Sequence, residues 1–225
     1  MITHLSEWAK RKPQAPFFCV QGDKQSIEYS YRRAHIAAAA LARELERYGM
    51  TANGTLACTM YNGTELVLLS LAAAYGGYTL ALLNPRLSAD ERQLRLVELE
   101  NATGEHGMAV LTNQMVNRLL IDATGFDATG FGLLPDDAAV LTRLQVELEQ
   151  TVQRYQERFD GDNAGLVMFT SGSSGTPKAA FLTWNSLMGS AAGANEVLRY
   201  EEHGVWQMVL PCVMWAVFRY WFVPF

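Results

Sequence analysis

Hydroxyl groups, glycines and one lysine lie together in FTSGSSGTPK, residues 169–178. Gly172 and Gly175 can adopt positive φ, so that successive backbone N–H groups can point into one concavity. Lys178 adds a full positive charge, and Pro177 stiffens the exit. The hydroxyl donors are Thr170, Ser171, Ser173, Ser174 and Thr176. This combination of donors suits a polyphosphate, and the stretch therefore predicts a phosphate-binding loop.

A flexible glycine-serine connection is the plain alternative, since both residue types are common in loops. Apolar runs on either side, GLVMF before and AAFL after, predict instead that both ends of the loop are anchored. The stretch is no Walker loop, because Pro177 stands five residues after Gly172 where that loop has glycine. It is no G-x-S-x-G nucleophile elbow either, because Gly175 directly follows Ser174.

The loop follows a predicted buried strand, residues 165–169, and apolar runs alternate with amphipathic segments before it. The other predicted strands are 17–20, 27–31, 55–60, 78–83 and 108–111, with a further one at 206–210. The predicted helices are 3–8, 31–48, 64–75, the segment that Ser88 caps with Glu91, and 136–159. Residues 112–135 receive no element. The alternation predicts an α/β fold of βαβ units with a mainly parallel sheet, whose ligands bind at the carboxyl ends of strands.

The segment from Leu66 to Leu83 has 18 residues and no charge, which is the lower limit for a membrane span. Gly76 and Gly77 divide it into an alanine- and leucine-rich half and a shorter half with Tyr78 and Thr79. The first half favours a helix and the second a buried strand. The segment therefore predicts a helix, a turn and a strand inside the core.

Length and composition indicate a folded, mildly acidic protein with one domain or most of one: 225 residues, 49% hydrophobic, formal net charge −5. Nothing in that charge indicates nucleic acid as a partner. Cysteines 19, 58 and 212 form no CxxC pair, and the four histidines have no metal-ligand spacing. We expect no disulfide and no metal held by side chains. With the polar start MITHLSEWAKRK, this pattern predicts a cytoplasmic protein.

FTSGSSGTPK followed by LTWNSL closely resembles the phosphate-binding loop of the adenylate-forming (AMP-binding) superfamily, acyl-CoA ligases among them. The resemblance extends upstream to the strand and helix of residues 29–49, to Tyr61-Asn62-Gly63 with Glu65, and to LNPRLS at 83–88. Two sequence segments, LLNPRLSADE and LTWNSL, are most similar to those of bacterial o-succinylbenzoate-CoA ligases of menaquinone synthesis. The resemblance to the superfamily covers nearly all of the chain to Leu210, and it implies the N-terminal subdomain of the adenylate-forming enzyme fold.

The resemblance implies a two-step reaction, in which a small-molecule carboxylate attacks the α-phosphate of ATP and a thiol, that of coenzyme A, then takes the acyl group. Thr170 to Lys178 would hold the β- and γ-phosphates, with Mg²⁺ shared by the phosphates. A fatty-acyl or aryl-CoA ligase is the alternative within the superfamily. A non-catalytic nucleotide-binding remnant is the alternative outside enzymes.

The chain departs from the superfamily pattern after Pro211, where an aromatic-His-apolar-Gly-Gly motif is expected and CVMWAVFRYWFVPF stands. The codons of Val213 to Phe218 can also be read in the neighbouring frame, which starts one nucleotide early. In that frame two codons must encode valine and glycine, and the free bases of the others permit His-Val-Gly-Gly-Phe. We therefore expect residues 1–211 to be the N-terminal part of the ligase domain and 212–225 to be a frameshift product. The alternative is an aromatic tail that binds a membrane or a partner. The superfamily's adenine-binding segment, Mg²⁺-binding glutamate, ribose-binding aspartate and C-terminal lysine have no match, so we expect this chain to be inactive by itself.

Overall fold

Strands and helices alternate along the chain in the computed structural model, which describes residues 2–21, 26–104, 107–125, 134, 137–171 and 177–198. The helices are α1 (Ile2–Arg11), α2 (Tyr31–Arg47), α3 (Thr64–Gly76), α4 (Ala89–Thr103), α5 (Asn113–Thr124), α6 (Ala138–Arg158) and α7 (Trp184–Leu198). The strands are β1 (Pro16–Gln21), β2 (Ser26–Ser30), β3 (Thr55–Cys58), β4 (Thr79–Leu82), β5 (Met108–Leu111), β6 (Ala164–Ser171) and β7 (Pro177–Thr183).

The central sheet has five strands in the order β5-β3-β4-β6-β7. The first four are parallel, and β7 alone runs antiparallel to its neighbour β6. Strands β1 and β2 form a separate antiparallel pair. The predicted α/β fold with a mainly parallel sheet is confirmed.

Helices cover both faces of the sheet. On one face α2, α3, α5 and α6 enclose the large core, which includes Leu56 of β3 and Leu80 of β4. On the other face α4 places Leu99 over a small cluster with Ala57 and Ala81. Right-handed crossovers explain this, because the β3-to-β4 and β4-to-β5 connections run in opposite directions along the sheet. Since β3 and β4 send their connections to opposite faces, a crevice is expected at their carboxyl ends.

The predicted helix caps are present. Ser88 begins α4 with a capping box, in which Ser88 Oγ accepts from the Glu91 N–H at 3.3 Å and Glu91 Oε2 accepts from the Ser88 N–H at 2.9 Å. Gly49 lies beyond the end of α2 at φ 92°, a left-handed conformation that favours glycine. Local sequence signals thus mark where these helices begin and end.

The uncharged segment from Leu66 to Leu83 forms the predicted helix, turn and strand. Helix α3 ends at Gly76, Gly77 caps it at φ 69°, and β4 follows at Thr79. Within the described ranges no helix has both the length and the apolarity that a bilayer crossing requires. The cytoplasmic location stays a prediction.

Two helices, α5 and α7, and strand β7 have no counterpart in the sequence predictions. Helix α5 lies within residues 112–135, where no element is predicted, and Thr112 caps it by accepting from the Met115 N–H. Its buried residues Val116, Leu119, Leu120 and Ala123 stand at helical spacing, a signal that the neighbouring glycine turns obscure. The strand predicted at 206–210 and the tail 212–225 lie outside the described residues.

A substitution of Gly76 tests the packing of the core. A Cβ atom at this position would lie 2.1 Å from Cε2 of Tyr78. The Tyr78 ring is fully buried and its hydroxyl donates to Ala42 O at 3.3 Å, so the ring has little room to move. We expect Gly76→Ala to lower the free energy of unfolding by about 1–3 kcal/mol. Urea denaturation measures this.

The matched control is Gly189→Ala on the exposed surface of α7, where the new Cβ would meet nothing within 4 Å beyond its chain neighbours and its own helix backbone. This change should raise the free energy of unfolding by about 0.5–1 kcal/mol, since alanine favours the helix. Equal effects of the two substitutions would contradict the packing of Tyr78 on Gly76.

Candidate functional site

The serine- and glycine-rich stretch connects β6 and β7, which form an antiparallel hairpin. Their ladder runs from Ala164 paired with Thr183 to Ser171 paired with Pro177. The loop thus comprises Gly172 to Thr176, which lie outside the described residues. The prediction that both ends of the loop are anchored is confirmed.

Thr170 and Lys178 are directly paired in this ladder, so their side chains lie on the same face of the sheet. Both residues are exposed, and Thr170 Oγ1 donates a long hydrogen bond of 3.4 Å to the Lys178 carbonyl. In the part of the chain that the structure describes, no carboxylate forms an ion pair with Lys178. A hydroxyl and an ammonium group thus stand side by side at the loop, available to an anion.

The base of the hairpin is held by Trp184 and Asn185, which belong to the LTWNSL stretch. The Trp184 indole is buried against Gly165, where an added Cβ would lie 2.5 Å from the ring. The Asn185 N–H donates to Gly161 O at 2.8 Å, and Asn185 Nδ2 donates to Asp162 Oδ1 at 2.8 Å. These contacts tie the end of β7 to the turn that precedes β6.

Strand β6 ends at the carboxyl edge of the parallel sheet. It is parallel to β4, with Ala81 paired to Val167, so the ends of the stretch, Ser171 and Pro177, lie at the edge where β4 ends. A turn follows β4 at the same edge, with the Arg86 N–H donating to Asn84 Oδ1 at 3.0 Å. Arg86 is exposed there. The edge therefore carries two exposed cationic side chains, Arg86 and Lys178, which favour an anionic ligand.

The structure brings together some of the predicted phosphate-binding residues. Thr170, Ser171, Pro177 and Lys178 end the two strands, whereas Gly172, Ser173, Ser174, Gly175 and Thr176 lie outside the described residues. The binding role of all nine stays a prediction. The sequence reasoning missed the hairpin, because nine residues separate the apolar runs GLVMF and AAFL, which is longer than most hairpin connections.

The α/β sheet carries at its carboxyl edge the two anchored ends of a hydroxyl-rich stretch, with Lys178 beside Thr170. The family described as AMP-binding enzyme matches residues 5–225. The chain belongs to the AMP-binding enzyme family.

Curated relatives are named 2-succinylbenzoate–CoA ligase. The protein of Staphylococcus aureus (strain JH9) is 26% identical over 189 residues, which are 81% of this chain and 38% of the relative. The protein of Bacillus cereus (strain AH820) is 23% identical over 216 residues, which are 94% of this chain and 39% of the relative. The chain thus spans well under half the length of these relatives.

Solved structures share the fold. O-succinylbenzoate coenzyme A synthetase (MenE) of Bacillus subtilis, in complex with ATP and magnesium ion, has a TM-score of 0.69 at 18% identity, over 98% of this chain and 53% of that chain. VinN in complex with L-aspartate has a TM-score of 0.68 at 14% identity, over 99% of this chain and 58% of that one. The fold is therefore the N-terminal portion of the adenylate-forming fold.

A substitution of Lys178 tests phosphate binding. We expect Lys178→Gln to weaken binding of inorganic tripolyphosphate to the purified chain about tenfold, because one charge-assisted hydrogen bond is lost. Titration calorimetry at low ionic strength measures the dissociation constant. The matched control, Lys10→Gln on the exposed surface of α1, should leave it unchanged. Equal affinities for Lys178→Gln and the unsubstituted chain would contradict the role of this lysine.

Proposed function

We propose that the chain is the nucleotide phosphate-binding part of an ATP-dependent acid-thiol ligase. In the first reaction a carboxylate oxygen of the substrate attacks the α-phosphorus of ATP, the new O–P bond forms, and pyrophosphate leaves. In the second, the sulfur of coenzyme A attacks the acyl carbon, AMP leaves, and the thiol proton is released. The products are an acyl-CoA thioester, AMP and pyrophosphate.

The observation that carries this proposal is the β6–β7 hairpin, which sets Thr170 and Lys178 side by side at the ends of the loop. Charge builds on the leaving pyrophosphate as the α-phosphate is attacked. Fixed N–H, hydroxyl and ammonium donors at the β- and γ-phosphates stabilise that charge without reorganising. Family membership supports the same reaction class.

The role of Thr170 to Lys178 in this proposal is to bind and orient the triphosphate. Lys178 Nζ would donate to phosphate oxygens, and the Thr170 hydroxyl would add a second donor beside it. Among the described residues no group of three or more His, Cys, Asp or Glu is placed to hold a metal ion. The cationic and hydroxyl donors fit the phosphates of a magnesium-nucleotide complex, whose ion supplies further charge neutralisation when bound.

We propose o-succinylbenzoate as the carboxylate substrate, and menaquinone synthesis as its setting. The support is that curated relatives are named 2-succinylbenzoate–CoA ligase. A fatty-acyl or aryl carboxylate is the second candidate, because VinN has the same fold in a complex with L-aspartate, and the fold therefore accepts different carboxylates. The third candidate function is that of a remnant that binds a nucleotide and catalyses no reaction.

We further propose that the 225-residue chain alone does not complete adenylation, because it matches 38% of the length of its relative. Purified chain incubated with ATP, Mg²⁺ and o-succinylbenzoate should release pyrophosphate at the rate of the substrate-free control, as measured by a coupled phosphate assay. Release above that rate would refute inactivity. If octanoate or benzoate gives that release and o-succinylbenzoate does not, the proposed substrate is also wrong.

We propose that residues 1–211 are ligase domain and that 212–225 come from a changed reading frame. The support is that the adjacent frame of Val213 to Phe218 permits the expected His-Val-Gly-Gly-Phe. Resequencing the locus should find DNA that encodes this motif one nucleotide early, followed by the rest of a ligase. DNA that cannot encode it would eliminate the frameshift.

A further inference from the structure

His35 and Tyr75 form a buried polar pair between helices α2 and α3. His35 Nδ1 lies 2.6 Å from Tyr75 Oη, which is hydrogen-bond distance. His35 is 7% exposed and Tyr75 is 1% exposed, so water does not share this contact. Tyr75 belongs to the last turn of α3, which ends at the edge where the parallel strands begin. The pair is therefore remote from the serine-glycine loop at the carboxyl edge.

A neutral His35 suits this environment. Burial raises the pKa of Tyr75, so its hydroxyl keeps its proton and can donate to the lone pair of Nδ1. The proton of the neutral imidazole then lies on Nε2. Protonation of the ring would put a proton on Nδ1 as well, and two donors would face each other. The Tyr75 hydroxyl would then have to turn away and lose its acceptor.

A protonated His35 would also lack a counter-charge. The charged side chain that acts on the ring is Lys10 of α1, which is itself positive. In the part of the chain that the structure describes, no carboxylate forms an ion pair with His35. On α6 the neighbour of Tyr75 is Tyr155, with ring centroids 6.5 Å apart, and its hydroxyl donates to Glu46 at 3.1 Å. The surroundings of His35 thus hold a neutral ring and disfavour a cation.

We propose that the His35–Tyr75 pair is an acid-sensitive latch between α2 and α3. While His35 is neutral, the hydrogen bond joins the two helices, and one added proton converts the ring into a buried, unpaired cation. Both helices belong to the large core that supports Leu56 of β3 and Leu80 of β4. Protonation therefore loosens the layer beneath the central sheet. The latch is separate from the phosphate-binding loop, and it stands whether or not the chain binds ATP.

Acid, and not base, opens this latch. Burial, with Lys10 adding to it, lowers the pKa of folded His35 from the ordinary 6.5 to about 4. Between these two values the unfolded chain binds the proton more readily than the folded chain does. The contribution of neutral His35 to stability is therefore complete above about pH 6.5, and it is lost as the pH falls towards 4.

Urea denaturation of the purified chain at pH 7 and at pH 5 tests the latch. Protonation of His35 in the unfolded chain should lower the ratio of folded to unfolded chain at least about tenfold between these two pH values. Carboxylates with ordinary pKa values stay mostly charged at pH 5 and contribute less.

Two substitutions assign the effect to this ring. His35→Asn places an amide oxygen near the position of Nδ1, where it can accept from Tyr75 but takes up no proton. This variant should lose the tenfold difference between pH 7 and pH 5. The matched control is His4→Gln, an exposed histidine of α1, which should keep the difference. The same pH dependence in His35→Asn as in the unsubstituted chain overturns the proposal, and so does its loss in His4→Gln.

A measurement on the unsubstituted chain decides the matter if His35→Asn does not fold. In ¹H–¹³C NMR spectra of the folded chain, the Cε1–H shift of His35 should stay constant between pH 7 and pH 5.5, because the ring remains neutral there. A titration of this shift with a midpoint near pH 6.5 would show a ring that takes up its proton freely, and that result also overturns the proposal.

Discussion

The antiparallel ladder between β6 and β7 is the interaction on which the candidate site depends. It fixes both ends of a five-residue loop, so binding an anion there costs less ordering entropy than binding to a free glycine-serine segment. Trp184 packs on Gly165 at the base of the hairpin, and backbone hydrogen bonds from Trp184 and Asn185 hold the turn before β6. The LTWNSL stretch follows the loop in sequence. It therefore contributes to the candidate site by holding β6 and β7, the two strands that flank the loop.

The position of β6 depends in turn on the long connection from β5. Helix α6 is held against α2 by Glu46, which forms ion pairs with Arg154 at 2.7 Å and Arg158 at 3.0 Å. Arg158 also donates to Gly76 O at 3.0 Å, which links the same helix to the end of α3. Each partly exposed pair contributes little alone, but together they join three helices at one place. Burial and Glu46 raise the pKa of the adjacent Tyr78 to about 12, so that its hydroxyl stays a donor to Ala42.

Local and periodic signals predicted most of the described fold. Ser88 with Glu91 marked the start of α4, and Gly77 marked the end of α3, because caps and left-handed glycines act within a few residues. The hairpin was not predicted, because whether a strand pairs parallel or antiparallel depends on contacts across the sheet.

Lys178 and Arg86, two exposed cationic side chains, lie at the carboxyl edge of the sheet. The central claim is that the carboxyl edge holds the β- and γ-phosphates of ATP. A crystal structure of the chain with ATP and Mg²⁺ tests it most directly. The account predicts phosphate oxygens about 3 Å from Lys178 Nζ and Thr170 Oγ1. A triphosphate bound elsewhere, with Lys178 in solvent, would contradict it.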